Sequence, residues 1–281
     1  MPDIWGLAAM ATKFLLYLGV LTSAGTVFAV AMFKISGVRA FASIFAAVGL
    51  VAAVLGFLLG GAALTGDASG MTDPEMLGLL WATPVGTALA YRFVGLALLI
   101  VGLPLGHRGL WASALGGLLA LWSFAIVGHI PDRELLWLDA LLLIHLIAMA
   151  MWVGILTPLR RLANFGAASE TADLGQRFGR LAVFFVPLLI LMGLVMSYIL
   201  VGSINALLGT GYGQALIVKV LLVGVLLSLA ALNKVRFVPK LMAGEAQASE
   251  HLSRSISFEW IAVVAILLTT AILTSVLTLP S

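Results

Sequence analysis

The sequence predicts an all-α polytopic membrane protein with eight transmembrane helices. Of its 281 residues, 62% are hydrophobic and only 10% are charged, whereas an average soluble domain carries roughly 25% charged residues. The mean hydropathy is +1.17, and several apolar runs exceed the roughly 18 residues that indicate a transmembrane helix. The runs are continuous and do not alternate with polar residues, which favours helices over a membrane barrel.

The apolar runs place the predicted spans in chain order within a single membrane domain, 1–281. The first run is too long for the apolar core of a signal peptide and has no clear cleavage site after it, so we expect it to be retained. The eight predicted spans are 7–33, 41–64, 86–105, 110–129, 136–159, 181–203, 213–235 and 257–279.

The charges of the connecting segments predict the orientation of the chain. Basic residues concentrate in the odd-numbered loops, such as Arg160 and Arg161 after the fifth span. The second loop instead carries Asp67, Asp73 and Glu75 without a lysine or arginine. Because basic residues favour the cytoplasmic side, the odd loops are expected there and both termini on the outer side.

Two short patterns recur four spans apart and suggest a parallel duplication. An even shift of spans preserves orientation, so the two copies would be parallel and not inverted. The halves would be 1–134 and 135–281. The patterns are Thr83-x-x-Gly86-x-Ala88-x-x-x-Arg92 with Thr210-x-x-Gly213-x-Ala215-x-x-x-Lys219, and Tyr17-x-Gly19-x-x-Thr22 with Trp152-x-Gly154-x-x-Thr157.

Several ionisable residues fall inside the predicted spans, where a charge costs several kcal/mol and needs a partner or a wet cavity. Arg92 and Lys219 lie about two turns in from the outer face, where they either extend to the headgroups or pair with Asp139. Glu259 lies near the cytoplasmic end of the last span. It is expected to pair with Arg254 or to hydrogen-bond Asn233.

Histidine and methionine are the candidate metal ligands, because the chain has no cysteine. His129 and His145 lie on the fourth and fifth spans, which a short outer loop joins. Met149 follows His145 by four residues and shares its helix face. Met192 and Met196 lie at a similar depth on the sixth span. Imidazole and thioether groups at one level, without thiolate, suit Cu(I), although each of these side chains is also an ordinary packing residue.

The sequence resembles the copper resistance protein D (CopD) family, most clearly from Gly128 to the C-terminus. Within the N-terminal third, the likeness is limited to hydropathy and the Thr83 to Arg92 segment. The matching motifs are Gly128-His129, His145-Leu146-Ile147-Ala148-x-Ala150-x-Trp152-Val153-Gly154, Pro158-Leu159, Arg177-Phe178-x-Arg180-Leu181-Ala182, Thr210-x-Tyr212-Gly213 with Lys219, Asn233 and Pro239, and Arg254-Ser255 with Glu259.

This resemblance implies a bacterial inner-membrane protein of eight helices that serves copper uptake or tolerance. It also implies a periplasmic copper carrier of the CopC type as partner. Copper would bind His129 and His145 from the outer face and pass inward along methionines, with Asn233 and Glu259 lining the exit. The chain has no Walker-type nucleotide loop, and its net charge of +3 gives no indication of a nucleic-acid partner.

Two other functions remain open at the level of sequence. The pattern His145-x6-Trp152-x-Gly154 is also similar to membrane protoporphyrinogen oxidases of the HemJ family, in which two histidines on neighbouring helices would ligate a b-type haem. A membrane scaffold that transports nothing is the third possibility. In that case His129 and His145 would serve as hydrogen-bonding residues between helices.

Overall fold

The structure is a computed structural model that describes residues 4–128, 135–245 and 247–279. These residues form helices and turns and contain no strand, which confirms the all-α prediction. Seven helical segments among them are long and apolar enough to cross a membrane. The helices are α1 (Ile4–Phe33), α2 (Arg39–Thr65), α3 (Pro74–Trp81), α4 (Pro84–Gly102), α5 (Gly106–Trp122), α6 (Leu136–Phe165), α7 (Ala168–Val201), α8 (Ile204–Gly209), α9 (Gly211–Leu232), α10 (Val238–Met242) and α11 (Ala248–Ser275).

One of the seven apolar segments, Pro84–Ala125, is a hairpin that accounts for two of the predicted spans. The chain reverses at Gly106, whose φ of +73° lies in the left-handed region that favours glycine. The two arms, α4 and α5, then run antiparallel in close contact. The Ser113 hydroxyl on α5 donates to the Leu99 carbonyl on α4 at 2.8 Å. With the two arms of the hairpin counted separately, the described residues contain helices at all eight predicted spans, with residue 129 of the fourth span outside the described part.

The centre of the bundle is the crossing of α1 and α6. A Cβ atom built on Gly25 would lie 1.7 Å from the Ala150 carbonyl oxygen, and one built on Gly154 would lie 1.9 Å from the Gly25 carbonyl carbon. The two backbones are therefore in direct contact, as small residues allow in membrane helices. The residues around this crossing are buried, including Val20, Ala24 and Val153.

Packing follows the same order in the two halves of the chain. Helix α1 packs on α2 and α5, and α6 packs on the equivalent α7 and α11. The third and fourth spans pair with each other in both halves, as α4 with α5 and as α9 with α11. A parallel duplication would produce this arrangement. The halves differ in one respect, because α2 packs along α4, whereas α7 makes no comparable contact with α9.

Helix α7 begins at Ala168, well before the predicted start of the sixth span at residue 181. The added turns are polar, and an ion pair of 2.6 Å joins Asp173 to Arg177 four residues later. Pairs with this spacing stabilise exposed helix. Hydropathy marks only the part of a helix that meets lipid, which is why the prediction began later.

The acidic second loop is built from two capped helical turns. The Asp67 carboxylate accepts a hydrogen bond from the Ser69 amide, which lowers the pKa of Asp67. The Asp73 carboxylate accepts from the amides of Glu75 and Met76 at the start of α3. Both aspartates thus satisfy free amides at helix N-termini, the ordinary task of capping residues.

Candidate metal site

His145 lies on α6 where it faces α7. Its Cε1 lies 3.9 Å from the position that a Cβ on Gly193 of α7 would occupy, and the Leu189 main chain lies near enough to influence the ring. Its Nδ1 is buried and has no hydrogen-bond partner among the described residues. A buried imidazole nitrogen without a partner is uncommon, because most buried polar atoms are hydrogen-bonded.

Two of the predicted thioether ligands lie at the same interface between α6 and α7. Met192 is buried with Ala148 and Leu189, and Met149 packs against that cluster. The His145 ring lies near Gly193, the residue that follows Met192 on α7, so the structure brings His145, Met149 and Met192 to one region. Met196 belongs to a separate cluster around Leu138, one turn farther along α7 towards its C-terminal end.

The pairing of His129 with His145 stays a prediction, because residues 129–134 lie outside the described part of the chain. Within the described part, no group of three or more histidine, cysteine, aspartate or glutamate side chains could hold a metal ion. A soft-metal site around His145 would therefore have to include thioethers, or the imidazole of His129.

Lys219 is a neighbour of His145 that the sequence did not reveal. It extends from α9 and acts on the imidazole electrostatically. No ion pair joins Asp139 to Lys219 or Arg92 among the described residues. The buried Oδ1 of Asp139 also lacks a hydrogen-bond partner there. The depth of a residue along its helix can be counted from the sequence, but the identity of the residues that it contacts on other helices cannot be predicted in this way.

Arg92 belongs to a different polar cluster, near the start of α1 and the end of α11. Its Nε donates to the Ser123 hydroxyl at 3.1 Å, and its guanidinium lies 5.4 Å from the centre of the Phe124 ring. Close by, Lys13 donates to the Thr274 carbonyl. All of these partners are neutral. For Arg92 the sequence predicted headgroup contact or pairing with Asp139, and it did not predict these contacts within the bundle.

A third polar cluster surrounds Glu259 on α11. The Trp152 indole donates to Glu259 Oε2 at 3.1 Å, and the Asn233 amide donates to Oε1. The hydrogen bond to Asn233 confirms one of the two partners predicted for Glu259. Asn233 opens a π-helical turn, Asn233–Phe237, a distortion that is frequent at functional sites.

The contact between Trp152 and Glu259 was not predicted, although both residues stood out in the sequence. The Trp152 ring packs edge-on against Phe178 and Phe185 of α7, which orients its N–H towards α11. Trp152 follows His145 by seven residues on α6, a rise of about 10 Å. The Glu259 cluster thus lies deeper in the bundle than the imidazole, as counted from the predicted outer face.

Comparisons with known proteins cover both halves of the chain. Residues 1–134 match the copper resistance protein D-like N-terminal domain, and residues 172–273 match copper resistance protein D. The copper transport protein CutJ of Bacillus subtilis (strain 168) is 29% identical over an alignment that covers 66% of this chain and 35% of CutJ. The chain thus spans about a third of the length of that curated relative. No solved structure matches it. On these matches, the chain belongs to the copper resistance protein D family.

Proposed function

We propose that this protein moves copper across the bacterial inner membrane and binds Cu(I) in the outer half of the bundle. In this proposal His145 is the central ligand, Met149 and Met192 are the thioether ligands nearest to it, and His129 completes the site from the end of the fourth span. The observation that carries the proposal is the buried Nδ1 of His145, which lacks a hydrogen-bond partner in the described residues and lies at the interface that holds Met149 and Met192.

The chemistry of these groups supports Cu(I) as the transported ion. Neutral imidazole and thioether are soft or borderline donors, and no thiolate competes with them in a chain without cysteine. Met196 would receive or deliver the ion one turn away along α7. The role of the protein would then be that of a transporter and not that of an enzyme.

Lys219 opposes cation binding at His145, because an ammonium group near the imidazole raises the free energy of any cation bound there. A transport site has to bind its ion firmly enough to capture it and weakly enough to release it. We therefore assign Lys219 the role of weakening a site that would otherwise retain copper.

The proposal includes an orientation and a partner. Both termini and the acidic second loop would face the periplasm, where a copper carrier of the CopC type would deliver the ion. The chain would consist of the two four-helix halves 1–134 and 135–281, with the copper ligands contributed mainly by the second half.

Thiol labelling tests this orientation directly, because the chain has no native cysteine. Ser69 and Ser169 are exposed residues of the second and fifth loops. We expect a membrane-impermeant maleimide to label Ser69→Cys in spheroplasts. We expect it to label Ser169→Cys only after the membrane is permeabilised. The reverse pattern would show that the chain is inserted the other way round.

A metal titration of the purified full chain tests the binding site. We expect the wild type to bind Cu(I) under anaerobic reducing conditions and the variant Met149→Leu/Met192→Leu to bind at least about tenfold more weakly, a loss of roughly 1.4 kcal/mol. Leucine preserves most of the apolar volume, so the fold should persist.

Met242→Leu is the matched control, because Met242 is exposed at the end of α10. It should leave the Cu(I) affinity unchanged. A wild-type chain that binds no copper, or a double variant that binds as tightly as the wild type, would contradict the proposed ligands.

A further inference from the structure

The Glu259 cluster is the most buried acidic site in the described part of the chain. Glu259 is only 3% exposed and Asn233 only 8% exposed. Both carboxylate oxygens accept hydrogen bonds from neutral donors, namely the Trp152 indole and the Asn233 side-chain amide. An ionised carboxylate at such a position carries a charge that these bonds only partly compensate.

No charged side chain of the described residues pairs with this carboxylate. Its hydrogen bonds are those with Trp152 and Asn233. Lys13 and Tyr17 on α1 contact Thr274, which lies fifteen residues from Glu259 along α11, or about 22 Å. On α9, Lys219 lies fourteen residues before Asn233, or about 21 Å along the helix. Lys240 is paired with Glu245 and Arg177 with Asp173. The other basic side chains nearby on α6, α7 and the segments next to α11 are exposed, namely Arg160, Arg161, Arg180, Lys234, Arg236 and Arg254.

Asn233 contributes one further polar atom to the cluster. Its Nδ2 donates to Glu259, but its Oδ1 is buried and has no hydrogen-bond partner among the described residues. The side chain therefore presents an unused acceptor next to a carboxylate that lacks a counter-cation. Because the amide group has a donor on one side and an acceptor on the other, rotation about its last bond exchanges the two.

Two kinds of cation could neutralise this carboxylate. A hard metal ion needs about six oxygen ligands, whereas the cluster offers the carboxylate, already engaged by two donors, and a single amide oxygen. A proton needs only one additional acceptor. The described groups are therefore too few for a metal ion and sufficient for a proton.

We propose that Glu259 is a proton-binding site and that Asn233 is its two-way hydrogen-bond partner. In the ionised state the Asn233 Nδ2–H group donates to Glu259 Oε1. When a proton binds Oε1, the carboxylate becomes a neutral acid, the Asn233 amide turns over, and the new O–H group donates to Asn233 Oδ1. Trp152 donates to Oε2 in both states.

The two states are closely matched in hydrogen bonding. Each contains one bond between Glu259 and Asn233, one bond from Trp152, and one unpaired polar atom on the amide. Whether Glu259 carries the proton is then decided by the pH and by the free-energy cost of burying the charged carboxylate. This inference goes beyond the proposed copper function and does not depend on it, because the site and its test involve no metal.

Infrared difference spectroscopy of the full chain in lipid nanodiscs tests the proposal without copper. As the pH is lowered, we expect a carbonyl band of a protonated, buried carboxylic acid that shifts when H2O is replaced by D2O. The band should be lost in Glu259→Gln. It should persist in Glu250→Gln, because Glu250 is an exposed carboxylate on the same helix.

Asn233→Leu separates the partner from the proton site. We expect the acid band to remain in this variant and to move to higher frequency, because the O–H group of the acid has lost its acceptor. Absence of an acid band in the wild type at every pH at which the chain stays folded would overturn the proposal, whether or not Glu259→Gln folds. A band that persists in Glu259→Gln, or one that Asn233→Leu leaves unmoved, would also overturn it.

Discussion

His145→Ala is expected to lower the Cu(I) affinity of the purified chain by about a hundredfold or more, equivalent to roughly 3 kcal/mol. The variant removes the imidazole whose Nδ1 is buried without a hydrogen-bond partner in the described residues. It also leaves Met149 and Met192 without a nitrogen ligand from α6. In cells that express comparable amounts of protein, copper-dependent accumulation should fall to the level of cells without the protein. Both quantities can be measured by metal analysis.

Two further histidine variants separate ligation from packing. His145→Phe fills most of the space of the ring but offers no ligand, so it should lose copper as His145→Ala does. His107→Ala is the matched control, since His107 is exposed at the start of α5, and it should bind copper like the wild type. Undiminished binding by a well-folded His145→Phe variant would show that the ion binds elsewhere.

Lys219→Met is expected to change the Cu(I) affinity in the opposite direction from His145→Ala. Because the ammonium group opposes a bound cation, its removal should strengthen Cu(I) binding while slowing release, so transport should not increase in proportion to affinity. A Lys219→Met variant that binds copper more weakly than the wild type would indicate that the lysine supports the site and would contradict the role assigned to it.

Gly154→Ala is expected to prevent α1 and α6 from packing at their observed distance. The new methyl carbon would lie within 2.4 Å of three backbone atoms of Gly25 and Thr26, and a backbone cannot give way as a flexible side chain can. Overpacking in a close-packed core typically costs about 1–3 kcal/mol, and we expect a value at or above the upper end. The apparent Tm in detergent, together with the yield of monodisperse protein, should fall sharply.

Gly224→Ala is the matched control for this effect. Gly224 lies on α9, and a Cβ atom built there meets no heavy atom within 4 Å. Because alanine is the better residue in the middle of a helix, this variant should keep or slightly raise the apparent Tm. A Gly154→Ala chain as stable as the wild type would mean that the two central helices can move apart without loss.

Much of the architecture could be predicted from the sequence, because each membrane crossing requires a continuous apolar run of a certain length. Length and hydropathy marked the eight crossings, including α4 and α5, which the structure joins into one continuous helical hairpin. The hydrogen bond between Asn233 and Glu259 was one of two predicted alternatives, since few polar side chains lie at the depth of this carboxylate.

The sequence by itself determined which residues cross the membrane, at what depth each polar side chain lies, and that His145 and Met149 share a face of α6. These properties follow from the helical rise and from the cost of exposing backbone to lipid. Only the tertiary structure decided that Lys219 acts electrostatically on His145, that Trp152 reaches Glu259, and that Arg92 bonds Ser123. The physical reason is that neighbours depend on the rotation of each helix about its axis and on how closely helices approach. Those quantities are set by packing between helices, above all at the contact of Gly25 with Gly154.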